Sequence, residues 1–297
     1  MGSFNQWFMP VAIAIVMFGI GLNLRFVDFK TIILRPRAVV TGLILQMIVL
    51  PLVAFLIIYF WNIEPVYKVG FILIAACPGG TMSNLVTYIL KGHLALSVAL
   101  TAFNSFLILI TIPLIVNLAA NTFLGKNPEI SLGFMDTFGE VLTSVILPVL
   151  AGIITNEMLR KRVVQDLNRY FRYLVGAVMA VMVISVLLEG GEKGERWFEN
   201  LDLLIPLLVL NISTTLIGYF GSRALGLHHR INYTVAIELG LQNSALAIFI
   251  ATRVLDEPRM ALVAVLYASF SFILTLGISF ALKEFFRETR KNLRLNQ

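Results

Sequence analysis

Charge is scarce in this sequence. Asp, Glu, Lys and Arg make up 13% of the 297 residues, about half the share of an ordinary soluble domain, and that scarcity excludes a well-solvated globular surface. Cysteine is rarer still: Cys77 stands alone, which excludes an intrachain disulfide and reads as a small buried hydrophobe. The three histidines, His93, His228 and His229, fall between apolar runs with no second ligand at metal spacing. No catalytic His or Ser/His/Asp grouping occurs within the apolar runs, which argues against an intramembrane enzyme. There is no low-complexity stretch, and no interval is long enough for a soluble domain.

Apolar residues are abundant, at 58% of the chain, and they are spread along its whole length. Nine segments are predicted to be membrane helices: 8–24, 38–61, 69–90, 94–120, 138–155, 173–188, 203–221, 233–251 and 261–282. Most match a hydrocarbon core of about 30 Å. The opening MGSFNQWF has no Lys or Arg ahead of its apolar run and no small-residue cleavage site after it. The first segment is therefore expected to be a retained helix rather than a signal peptide.

Nine crossings put the termini on opposite sides, and the basic residues orient them. With the N-terminus outside, 17 of the 23 Lys and Arg residues fall on inner intervals, five of them in the tail at 283–297. Lys68, Lys126, Lys193, Arg196, Arg253 and Arg259 are left outside. The expectation is N-out and C-in, with 283–297 a basic cytoplasmic tail. The net charge of +6 then follows from basic inner loops, and nucleic-acid binding has no further support.

A faint internal echo is present. ALSVALTAFNSFLI at 95–108 and ALVAVLYASFSFIL at 261–274 agree at six of fourteen positions. Each copy follows a segment with a mid-span polar cluster, PGGTMSN at 78–84 in the third and ELGLQNS at 238–244 in the eighth. Partners five segments apart cross the membrane in opposite directions, which is the inverted repeat of many secondary transporters. Segments one to four pair with six to nine, so the first repeat reads as a five-helix unit lacking its opening helix. The repeats span 8–120 and 138–282.

Pro78 removes a backbone donor, and Gly79 and Gly80 stabilise a helix poorly, so a break is expected there. The freed backbone groups cannot face lipid and must line an enclosed cavity. A half-helix restarting near Thr81 would point its positive end into that cavity, which suits an anion. The eighth segment has Gly240 and no proline, but Gln242, Asn243 and Ser244 can cap a second half-helix running to Ala251.

Glu238 is the only Asp, Glu, Lys, Arg or His well inside any of the nine segments; Glu140 lies within a turn of the outer end of the fifth. A charge at the bilayer centre costs on the order of 3 kcal/mol, so it is either functional or a protonated side chain bonded to a neighbouring helix. A carboxylate among hydroxyl and amide oxygens offers the ligands that a hard cation takes. Ser97 and Thr101, four apart on one helical face, supply hydroxyls, and Asn104 and Ser105 continue the stripe. In the second copy Ser97 becomes Val263 and Thr101 becomes Tyr267. The pair is either packing glue or a ligand set, and Gln46 in the second segment is either an interhelical bond or a ligand. Asn211, Ser213, Thr214 and Thr215 read as helix contacts. Pro10, Pro51, Pro113, Pro148 and Pro206 read as kinks or ends.

The stretches CPGGTMSNLVTY, KGHLALSVALT, ELGLQNSALA, and MFGIGLNL ahead of DFK resemble the bile acid:sodium symporter family from about Met17 to the end of the ninth segment. The resemblance implies an all-α membrane protein with two broken helices, the third and eighth, crossing at mid-membrane. It implies a core of helices 2–4 and 7–9 moving against a panel of helices 1, 5 and 6. It also implies two sodium sites, one at Ser83, Asn84, Ser97, Thr101 and Glu238, the other at Gln46, Glu238 and Gln242 with backbone oxygens of Leu239 and Leu241. Thr81 and Asn243 match positions that contact the substrate's anionic group. Leu239 and Leu241 stand where Val and Met are frequent, which matters little for carbonyl ligands. Bacterial members commonly carry ten helices, so nine is a departure that removes part of the panel.

The function so implied is sodium-coupled import of an organic anion across the plasma membrane. A bile salt, another steroid-like anion, or a small carboxylate such as pantoate would each fit. Two alternatives stay open: a metalloid or other anion exporter using Cys77 with Glu238, and a non-transporting anion receptor.

Overall fold

A computed structural model of the chain describes residues 2–29, 34–125, 139, 142–192 and 201–295. Lys30, Lys126, Glu140, Lys193 and Arg196, all used in the sequence reading, lie outside these residues. Every regular element described is helical: α1 (Gly2–Gly21), α2 (Pro36–Tyr59), α3 (Pro65–Ala76), α4 (Thr81–Ile89), α5 (Leu94–Phe123), α6 (Leu142–Met158), α7 (Lys161–Glu192), α8 (Leu204–Ala224), α9 (His229–Gly240), α10 (Ser244–Val254) and α11 (Pro258–Leu295). Five of them, α2, α5, α7, α8 and α11, hold stretches long and apolar enough to cross a membrane. Shorter apolar helices are Pro10–Gly21, α3, α6 and α10. Large apolar side chains such as Leu52, Leu56, Leu114, Leu118 and Ile205 are exposed on the outside, an arrangement suited to lipid rather than water.

Two helices run more than ten residues past their expected ends. The predicted 173–188 segment is part of α7, which begins at Lys161, and α11 carries helix through most of the basic stretch expected as a tail. Lys, Arg and Glu are good helix formers, so a membrane helix continues into them at little cost.

The third predicted segment is interrupted. α3 ends at Ala76, and Cys77 is extended, with φ −70 and ψ 150, because the ring of Pro78 drives the preceding residue out of the helical region. Helix resumes at Thr81 after Gly80. The eighth segment breaks without a proline. α9 ends at Gly240, Leu241 is extended, and Asn243 caps α10 by accepting from the N–H of Leu246 at 3.1 Å. The two interruptions meet: Gly79 and Gln242 form an isolated antiparallel bridge, and the N–H of Asn243 donates to the carbonyl of Pro78 at 2.8 Å. Backbone groups freed by one break are thus satisfied by the other.

α3, α9 and α10 are buried almost throughout, as befits helices at the centre of a bundle; α3 and α10 are largely apolar, whereas α9 carries Asn232, Thr234 and Glu238 into that interior. α5, α8 and α11 pack around them. α1 lies mainly against α6 and α7, with a smaller contact to α10. Against α6 the backbones close in at two glycines, since a Cβ added to Gly152 would stand 2.8 Å from the Cα of Gly21. The amide of Asn156 in α6 donates to the carbonyl of Leu24 at 2.8 Å, just beyond α1.

Candidate functional site

The crossover brings Glu238 of α9 against α5 and the start of α4. The carboxylate is fully buried. Ser97 Oγ touches Glu238 Oε1, and Thr101 Oγ1 lies 3.3 Å from Glu238 Oε2. These two hydroxyls reach one carboxylate because residues four apart share a helical face. Ser83 Oγ lies beside the same carboxylate, both bordering Gly79, and donates to the carbonyl of Gly80 at 2.8 Å. Asn84 completes the group, with Oδ1 2.8 Å from Ser97 Oγ. The five residues predicted for the first ion are therefore contiguous in space.

Oxygens crowd together in this cluster. Ser97 carries one hydroxyl hydrogen and, as the Asn84 amide is placed, faces two acceptors, Asn84 Oδ1 and Glu238 Oε1. A hydroxyl donates once. A cation among these oxygens, a proton on the carboxyl, or an Asn84 amide turned to donate from Nδ2 each relieves this crowding.

Gly79 makes room for this arrangement. A Cβ there would collide with Glu238 Oε2 and stand 3.1 Å from Ser83 Oγ, whereas one on Gly80 would meet only Asn243, at 3.9 Å.

Of the residues predicted for the second ion, Gln46 reaches α9 from α2, and Gln242 lies in the break just after it. Gln46 Nε2 donates to the carbonyl of Glu238 at 3.5 Å, and Gln242 Nε2 to that of Leu239 at 2.8 Å. In both glutamines the side-chain oxygen is buried and has no donor. Leu241, whose carbonyl completes the predicted set, lies buried and extended in the break itself. Gln46 is presented by a widened turn, Leu45–Val49. Pro51 has no N–H and its ring crowds the carbonyl four residues back, and a single wide turn absorbs the misfit. Pro148, two residues after the wide turn Leu142–Ile146, repeats the device. Neither proline is the simple kink that the sequence suggests.

Thr81 is half-buried at the first position of α4, and Asn243 is buried at the cap of α10. The starts of the two half-helices adjoin, since Gly80 faces Asn243. Cys77 is packed inside the main apolar cluster, a setting that lends the metalloid reading no support. Among the described residues no group of three or more His, Cys, Asp and Glu could hold a metal.

Sequence reasoning missed how the second break is sustained. The carbonyl of Gly240 accepts from Asn211 Nδ2 at 2.7 Å, Tyr267 OH at 2.8 Å and Thr275 Oγ1 at 3.1 Å. Asn211 also bonds Tyr267 OH at 3.0 Å. Asn211 does make a helix contact, as expected, but to the broken end of α9. The available signal was that it is the one side-chain amide within its apolar segment. The echo assigns Tyr267 to the place of Thr101, and both hydroxyls serve groups of α9, a carbonyl in one case and a carboxylate in the other.

Comparison with known proteins places the chain in a family. Residues 10–193 match the Sodium Bile acid symporter family. The chain is 32% identical over 246 residues to an uncharacterized sodium-dependent transporter, YocS, of Bacillus subtilis, covering 82% of this chain and 74% of that protein. It is 34% identical over 272 residues to the probable sodium/metabolite cotransporter BASS1 of Arabidopsis thaliana, covering 87% of this chain and 63% of that one. To the human ileal sodium/bile acid cotransporter it is 28% identical over 239 residues, 80% of this chain and 67% of the other. These relatives are transporters and cotransporters rather than enzymes. Built around a crossover of two broken helices and matched over more than half its length, the chain belongs to the sodium bile acid symporter family.

Proposed function

We propose that the protein is a secondary active transporter that couples inward movement of sodium to import of an organic anion. The observation that carries this reading is the buried cluster of side-chain oxygens around the Glu238 carboxylate, to which Ser97, Thr101 and Asn84 contribute. Sodium is a hard ion and takes such oxygens. One ion is held by Ser83, Asn84, Ser97, Thr101 and Glu238. The second is held by Gln46, Glu238 and Gln242 with the carbonyls of Leu239 and Leu241. The donorless oxygens of Gln46 and Gln242 support it, since turning the Gln242 amide about its terminal bond sets its oxygen beside the carbonyl of Leu239.

The anionic group of the substrate is received by Thr81 and Asn243, where the positive ends of two half-helices adjoin. A bile salt, a steroid-like anion or a small carboxylate each carries an apolar body behind such a group. α3 with α4, and α9 with α10, each count as one broken span, which makes nine crossings in two inverted repeats, the first lacking its opening helix. The contact of α1 with α6 and α7 supports a panel separate from the core. The protein lies in the plasma membrane, N-terminus outside and C-terminus inside. Two sodium ions with one monovalent anion carry a net charge of +1, so the inside-negative potential adds roughly 2.3 kcal/mol per 100 mV.

A thermal-shift screen of candidate anions in sodium against potassium tests the reading. A transported anion stabilises the protein strongly only in sodium. Equal stabilisation in both salts, together with no sodium-gradient-driven uptake of that anion into proteoliposomes, rules out the symporter and leaves the receptor.

A further inference from the structure

The polar stripe of α5 does not end at the residues that reach the carboxylate. Asn104 is 1% exposed, and neither its Oδ1 nor its Nδ2 has a hydrogen-bond partner. It is the one buried amide among the described residues with both ends orphaned; Gln46, Gln242 and Asn211 each anchor at least their nitrogen. Fully unsatisfied buried amides are rare and point to a bound water or ion. An asparagine that only joined helices would be bonded to one of them.

Its position says which. At 3.6 residues per turn Ser97, Thr101 and Asn104 fall within a sector of about 60°, and Asn104 lies about 4.5 Å beyond Thr101 along the axis. Ser97 and Thr101 both face Glu238, so Asn104 looks into the same interior from one turn further along. That is the direction of Phe123, away from the basic loop at 91–93 where α5 begins. In the second copy of the echo Asn104 falls on Phe270, so packing at this point of the architecture needs no amide.

We infer that Asn104 is a further cation ligand, forming an outer binding position for the transported ion ahead of the Glu238 cluster. Its oxygen takes the ion, and its NH₂ holds a water that the ion retains. One partly hydrated cation satisfies both orphaned ends, which neither a bare ion nor an apolar group does. The inference rests on the sodium-coupled reading and adds a ligand that neither proposed sodium site contains.

The test is equilibrium binding of radioactive sodium to the purified full chain at constant ionic strength, with potassium as the replacement salt. Asn104→Leu, similar in shape and without oxygen, is expected to weaken half-saturation by about ten-fold, the scale of one lost ligand. Asn104→Ser, which keeps an oxygen, is expected to recover most of that loss. Melting temperature in potassium serves as the check on folding, and if the leucine variant fails it, Asn104→Ala against Asn104→Ser is compared in the same way. Half-saturation within about two-fold of the parent in both variants overturns the inference and makes Asn104 the holder of a structural water only. If the parent itself binds no sodium in preference to potassium, the symport reading fails and takes this inference with it.

Discussion

Gly79 and Gln242 pair as a single antiparallel bridge between two interrupted helices, and the carboxylate of Glu238 fills the space that a side chain on Gly79 would need. One contact therefore joins the backbone geometry of the crossover to the chemistry beside it.

Gly79→Ala and Gly80→Ala are expected to part company. The added methyl at 79 displaces the carboxylate, while the methyl at 80 reaches only ordinary contact with Asn243 in a backbone, φ −124 and ψ −171, that alanine adopts freely. Sodium-dependent stabilisation should be lost in the first and kept in the second. Loss in both would show that the glycines serve the break rather than the site.

Glu238→Gln keeps the shape and removes the charge. With the carboxylate serving both proposed ions, this change should abolish the difference in melting temperature between sodium and potassium. A variant that still discriminates the two salts would favour the reading of Glu238 as a protonated interhelical bond.

Tyr267→Phe removes one of three donors from the carbonyl of Gly240. The cost is about 1 kcal/mol, read as a fall of about 2–4 °C in melting temperature. Asn211→Ala strips a donor from the same carbonyl and a partner from Tyr267, and so should cost more. Equal and negligible effects would mean that Gly240 is held by its backbone alone.

Acidification should weaken the start of α5. His93 caps this helix by accepting from the N–H of Leu96 at 3.1 Å, which requires an unprotonated ring nitrogen. Burial, then the charge of Arg35 and of Arg230, hold the imidazole below its ordinary value. The folded protein therefore binds this proton less readily than the unfolded chain. The stabilisation is complete above about pH 6.5, declines below it, and is gone once pH passes the lower folded-state value. His93→Asn, which caps without titrating, should flatten that part of the melting profile by about 1 kcal/mol.

Cys77→Ser should leave sodium-dependent stabilisation intact, at a modest cost in stability from burying a hydroxyl in the apolar cluster. Loss of sodium-driven uptake together with retained folding would revive the thiol-based exporter.

The first break was legible because its cause is local: proline excludes a helical Cys77, and the glycines follow directly. The second was only half legible. Asn243 announces a cap, but the termination at Gly240 depends on Asn211, Tyr267 and Thr275, which arrive from α8 and α11. Grouping of Ser97 with Thr101 followed from helical spacing. The convergence of Ser83 and Gln46 on α9, and of Asn84 on Ser97, did not, because nothing local relates segments so far apart. The wide turn that presents Gln46 has a local cause in Pro51, yet a proline permits a kink or an end equally well. Whether a buried amide finds a partner is likewise a property of its neighbours, which is why Asn104 reads as one more polar residue in a stripe.

The crossover also constrains how the protein is made. Gly79 and Gln242 are separated by more than half the chain, so α3 and α4 enter the bilayer long before their counterpart exists. Until then the carbonyl of Pro78 and the groups around it have no partner in hydrocarbon, where each unsatisfied group costs several kcal/mol. The first half of the chain must wait in the insertion machinery, or beside water, for the second half to close it. A truncation after α5 should therefore be degraded or remain bound to that machinery, even though every residue of the first break is present in it.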